Sequence, residues 1–184
     1  MLGVLLSIAW GLVLLAVLTA SGLALAPQAW LGALFALVAL LHGVRLARWH
    51  DAGLWRVPLL WSLHLAYAWL VVALAGQALW HFGLLTSASL ALHALGVGGM
   101  GGLILAMVAR VSLGHTGRPL QPPKAMAWAF ALVHLGAAAR VLLPPFFPLG
   151  SLHLAGTAWV AAFALFVWHY GPMLCRPRLD GQPG

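Results

Sequence analysis

Acid is what this chain most lacks. Two carboxylate side chains, Asp51 and Asp180, stand among 184 residues, and charged residues of all kinds make up 6%. Soluble domains are about a quarter charged, so this chain has almost nothing polar to show to water. The scarcity removes whole reaction classes. Paired-carboxylate hydrolysis, a Ser-His-Asp triad in an apolar interior, all-oxygen Mg²⁺ or Ca²⁺ cages and carboxylate proton relays all lack their parts. A single cysteine, Cys175, excludes an internal disulfide. Sustained period-2 alternation is also missing, so helices are the way each apolar run satisfies its backbone.

What is there is grease. Apolar residues make up 64% of the chain, with a mean hydropathy of +1.02. Six runs approach the ~20 residues that cross a bilayer's hydrocarbon: Leu2–Ala26, Ala29–Ala47, Val57–Ala78, Ala88–Val111, Pro123–Leu143 and Leu149–Tyr170. The expectation is an all-α integral membrane protein, a six-helix bundle forming one transmembrane domain over residues 1–184. "ALA" at 24–26 has the look of a signal-peptidase site. The run before it carries no Lys or Arg and exceeds the ~7–15 apolar residues of a secretory signal, so it reads as a retained helix.

Basic residues set the orientation. Arg45, Arg48, Arg56, Arg110, Arg118, Lys124, Arg176 and Arg178 fall on one side, and only Arg140 on the other. The split predicts both termini in the cytoplasm, and it accounts for the net charge of +7 without any nucleic-acid partner. Trp30 and Trp80 near one boundary, with Trp49, Trp55, Trp61, Trp168 and Tyr170 near the other, form the expected aromatic belts. Trp69 and Trp159 lie mid-span, where they pack between helices or against a ligand.

The stretch "GVGGMGG" (96–102) formally matches the GxGxxG dinucleotide fingerprint. That fingerprint needs a preceding strand and a helix start, and here it lies inside an apolar helix. On an α-helical wheel, Ala94, Gly98, Gly102 and Ala106 form an i+4 row of small residues that lets another helix approach. Gly96 and Gly101 fall on the His93 side, where they either clear space for a flat macrocycle or serve packing.

Nine histidines accompany the two acids. Imidazole without carboxylate suits haem iron or copper. His93 and His153 sit at matched depth, roughly 6–8 Å below one boundary, and His42 and His64 at roughly 8–10 Å below the other. Each pair is a candidate for metal ligation on two helices. Arg140, near the outer layer, could pair with haem propionates. His134 lies near the midplane, while His50, His81, His115 and His169 fall at or beside helix ends. The turn "RVSLGHTGRP" (110–119) joins Arg110, His115 and Arg118 with two glycines, either as an anion or head-group site or as a plain glycine turn.

"LLWSLHLAYAWL" (59–70), "LHALGVGGMGGLILAMVARVSLGHTGRP" (92–119) and "WHYGPMLCRPRLDGQPG" (168–184) resemble the C-terminal half of the NnrS family. These are bacterial inner-membrane proteins described as containing haem and copper and linked to the nitric oxide response. The resemblance, from about residue 40 onward, implies a haem- and copper-binding protein of nitric oxide tolerance, with nitric oxide as a small ligand. His64, His93, His115, Arg110 and Arg118 lie inside the matching motifs; for His42 and His153 only depth speaks. Family members are typically about twice this length, with an N-terminal half not present in this sequence. A metal site shared between halves would then need a second copy or a second membrane chain. The alternative expectation is a metal-free scaffold or half-transporter that assembles with a partner or with itself. The residues specify no reaction.

Overall fold

The structure, a computed structural model, describes residues 2–181, with side chains from residue 9 onward. It is helical throughout, without a strand among the described residues. The helices are α1 (Leu2–Ala20), α2 (Ala29–Arg48), α3 (Pro58–His81), α4 (Ser89–His115), α5 (Ala125–Leu142) and α6 (Pro148–Leu174). Five of them, α2 to α6, are long and apolar enough to cross a membrane. In α1 only the shorter apolar stretch Ala9–Ala20 lies within the side-chain description, so the sixth expected crossing extends into residues outside it.

The first helix is shorter than the apolar run that encodes it. It ends at Ala20, and Gly22 turns the chain with φ +84°. Glycine tolerates this left-handed conformation and so stops a helix where composition alone would continue it. The connection to α3 is a 3₁₀ turn, Ala52–Arg56, capped by the Asp51 carboxylate, which accepts from the Gly53 N–H at 2.7 Å.

Helix α3 is shared by two apolar clusters. On one side Leu74 and Ala78 pack with Leu31, Phe35 and Val38 of α2 and Leu15 of α1. On the other, Leu59 joins Leu105 and Leu113 of α4, Phe130 and Val133 of α5, and Tyr170 of α6. Helix α5 packs along α6, with Gly136 against the Ala155 carbonyl and Ala158. Among the described helices, α1 brings its backbone close to that of α2 alone.

The small-residue row of α4 does what its spacing predicts, with side chains as well as helices filling it. Trp69 of α3 lies on Gly98, and the His134 ring of α5 lies on Gly102, where an added Cβ would come within 2.7 Å of its Cε1. The winding between them was not expected. Residues Ala94–Met100 form a π-helix inside α4. The wider turn departs from the 3.6-residue wheel, and Gly96 and Gly101 do not share one clearing beside His93. Gly96 is exposed, with open space where a Cβ would go, while Gly101 is buried near Trp159 and Val133.

The aromatic residues sort less simply than a belt. Trp30, Trp49, Trp55 and Trp168 are exposed near helix ends. Tyr170, assigned above to the boundary, is instead fully buried and stacked on Phe166 at 4.7 Å. Of the mid-span pair, Trp69 packs on α4, and Trp159 lies against Phe163, with ring centroids 4.2 Å apart.

The contrast between glycines gives a test. Gly102→Leu drives a side chain into His134 and is expected to cost about 1–3 kcal/mol or to abolish folding. Gly96→Ala is expected to change stability by under about 1 kcal/mol. Thermal unfolding of the purified chain in detergent reads both; equal tolerance would mean that α4 and α5 are not in contact at Gly102.

Candidate functional site

Hydrogen bonds decide which imidazole nitrogen is free to bind, because a neutral ring has one N–H and one lone pair. At His93 two Ser89 atoms face Nδ1, the hydroxyl at 3.3 Å and, closer, the carbonyl oxygen. Its Nδ1 lies 2.6 Å from the Ser89 carbonyl oxygen, and a carbonyl only accepts, so Nδ1 carries the proton. The Nε2 lone pair is therefore bare, and the residue is half-buried rather than sealed. An N–H donated to a backbone carbonyl is the arrangement that orients metal-ligating histidines and raises their basicity. The π-helix begins at the next residue, Ala94; such segments occur often at functional sites.

The other expected outer ligand is not brought to it. His153 is exposed on α6, and the Ser89–His93 turn packs on α3 and α5 without touching α6. Arg140, near the same end, is half-buried.

The inner pair falls in one neighbourhood. His42 is buried, its Nδ1 2.5 Å from the Tyr67 hydroxyl and its Nε2 without a partner. His64 stands one turn before Tyr67, and both line a small pocket of about 280 Å³ with Trp49, Leu60 and Leu103. Tyr67 thus joins the two histidines, through a hydrogen bond to one and a shared wall with the other. The Arg45 guanidinium lies 4.2 Å from the centre of the Trp49 ring and 5.9 Å from that of Tyr67, a cation–π arrangement that holds a charge without an acid. Beyond His64, the His50 ring lies at 6.1 Å and accepts from the Trp55 indole N–H at 3.2 Å.

Two further buried rings have different assignments. His81 accepts from the Gln28 backbone N–H at 3.2 Å, so its proton sits on Nε2, which has no partner. It is a hydrogen-bond donor there rather than a ligand. His134 meets the Ser62 hydroxyl at 3.3 Å through Nε2 and leaves Nδ1 unpartnered beside Gly102. Among the described residues no three His, Cys, Asp or Glu side chains converge to hold a metal ion.

These surroundings test the fit of a cofactor. His93 fits axial ligation, since its free nitrogen is fixed by the backbone and within reach. His42 Nε2 is enclosed, which leaves no room for a macrocycle. The His64 pocket falls just under the ~300–1,000 Å³ of ordinary cofactor sites. A further cavity, about 710 Å³, is lined by no histidine.

The basic turn is engaged by the chain itself. Arg178 donates to the His115 carbonyl at 3.1 Å, and the Leu179 N–H donates to the Thr116 carbonyl at 3.2 Å. Arg178 also pairs with Asp180 at 2.5 and 2.9 Å, which raises its pKa above the ordinary arginine value. The Asp180 carboxylate lies against Gly117, whose φ is +67°. Thus the carboxylate beside this turn is the protein's own. Arg110 and His115 remain exposed, bordering an open groove with Met107 and Leu120.

Tyr67 and Arg45 were not expected in the site. The signal was present: Tyr67 is one of two tyrosines in the chain, at i+3 from His64 on a helix.

Five apolar helices of spanning length define a helical membrane protein. The family model described as NnrS protein matches residues 3–178, so the chain belongs to the NnrS family. The match starts far ahead of residue 40 and takes in α1 and α2 as well. No curated protein and no solved structure matches the chain.

Tyr67→Phe removes the one partner of a buried imidazole. The expected loss is about 1–3 kcal/mol of stability, read as a lower unfolding temperature in detergent. In a His42→Ala background the same substitution should add little; an undiminished loss there would show that the phenol acts elsewhere.

Proposed function

We propose that this protein is a bacterial inner-membrane metalloprotein of the nitric oxide response, in which neutral imidazoles hold haem or copper. Family membership supports the connection to nitric oxide. The observation that carries the metal is His93, with Nδ1–H committed to the Ser89 carbonyl at 2.6 Å and Nε2 bare.

Bound there, haem or copper would supply a redox-active Lewis acid able to take nitric oxide. The chain's own residues do the rest. Ser89 orients the ring and keeps its proton on the far nitrogen. The two acids lie outside the spans, at Asp51 and Asp180, so no carboxylate competes for the site. The basic residues cluster at one end of the bundle, which supports cytoplasmic termini on a six-span reading. With His153 exposed, a second copy or a second membrane chain is the source of the remaining ligand.

The test is the whole chain purified in mild detergent, with absorption spectra before and after dithionite, elemental analysis and a measured particle mass. A Soret band or bound copper is expected, and His93→Ala should hold about tenfold less metal than wild type while His169→Ala holds as much. Absence of both band and metal overturns the proposal. Equal retention in the two variants removes His93 from it.

A further inference from the structure

One cavity belongs to none of these histidines. It lies between α1 and the facing sides of α3 and α4, with Phe35 of α2 in its wall, and it measures about 710 Å³, within the range of small-molecule and cofactor sites. Its walls are mostly alanine and leucine. From Trp80 to Leu70 on α3 it runs about 15 Å along the helix axis.

Two features select its occupant. None of the lining residues carries a charge, so a phosphate or ammonium head group would find no counter-ion and would be desolvated at high cost. Gln77, one turn before the end of α3, lines the cavity half-buried and makes no side-chain hydrogen bond among the described residues. Its amide therefore offers a reachable donor and a reachable acceptor in an otherwise apolar wall. The Thr19 hydroxyl, also in the wall, donates to the Leu15 carbonyl at 2.8 Å and still has lone pairs to accept. The head must therefore be neutral and rich in oxygen, and the body apolar.

We infer that this crevice binds a lipid-soluble quinone or quinol, with its ring oxygens at Gln77 and its tail along Ala73, Leu70 and Leu92. A quinone accepts from the amide N–H, and a quinol hydroxyl donates to the amide oxygen, so one side chain serves both forms. Phospholipid shares the apolar tail but not the neutral head.

Decylubiquinone is the probe, titrated into the full chain in nanodiscs of defined phosphatidylcholine, with bound quinone measured after separation from free. Saturable binding near one per chain is expected. Gln77→Leu should weaken it several-fold, up to about tenfold, the worth of one hydrogen bond. Ala16→Trp, which fills the crevice from α1, should abolish it. Mass spectrometry of lipid retained by the detergent-purified chain separates the sources: one phospholipid per chain, lost in Ala16→Trp and not displaced by decylubiquinone, would assign the crevice to phospholipid and overturn the inference. Non-saturable uptake, or binding unchanged in Gln77→Leu, would overturn it as well. Should Ala16→Trp fail to fold, Gln77→Leu decides alone. Metal content is measured separately, so this outcome stands apart from that at His93.

Discussion

The close approach at the glycine face of α4 holds this bundle together. Helices in lipid gain little from hydrophobic contact with one another, so packing and interhelical hydrogen bonds have to bring them together. Gly98 and Gly102 let the Trp69 indole and the His134 imidazole lie directly on the backbone of α4. Those contacts bring α3 and α5 onto a common partner, and the Ser62–His134 hydrogen bond then ties α3 to α5 directly. Helix α6 rests on α5, and α2 on α3. The bundle thus spreads outward from one small-residue surface.

Around that frame the histidines, alike in sequence, are made chemically unlike by their neighbours. A carbonyl oxygen leaves His93 with a bare Nε2, whereas a backbone N–H leaves His81 with a protonated one. His42 is enclosed with a phenol, and His153 faces outward. With almost no acid in the chain, these neutral partners, rather than ion pairs, set which nitrogen is available.

Much of the fold could be read directly. Helices α2 to α6 begin and end within a few residues of their apolar runs, because Pro58, Pro148 and the arginines mark the boundaries. Less could be read where backbone geometry departs from the average. The α1 run contains Gly22, whose turn composition cannot announce, and the Ala94–Met100 winding defeats any wheel drawn at 3.6 residues per turn. Depth paired His42 with His64, and Tyr67 meets both, bonded to one and sharing a pocket wall with the other. It also paired His93 with His153, which stand on helical segments that do not meet, because depth says nothing about the direction in which a side chain leaves its helix. The two "SLHLA" segments make the same point: Ser62 bonds across to His134, while Ser151 bonds back to the Pro148 carbonyl.

The π segment gives α4 a particular evolutionary fragility. Such a bulge amounts to an extra residue accommodated within an α-helix, and one residue of α-helix corresponds to about 100° of azimuth. A substitution among the glycines that restored ordinary winding at the same length would swing His93 by that angle relative to the Gly102 surface, with the imidazole itself untouched. The bearing of the imidazole is thus set by how "GVGGMGG" winds as much as by which residues it holds.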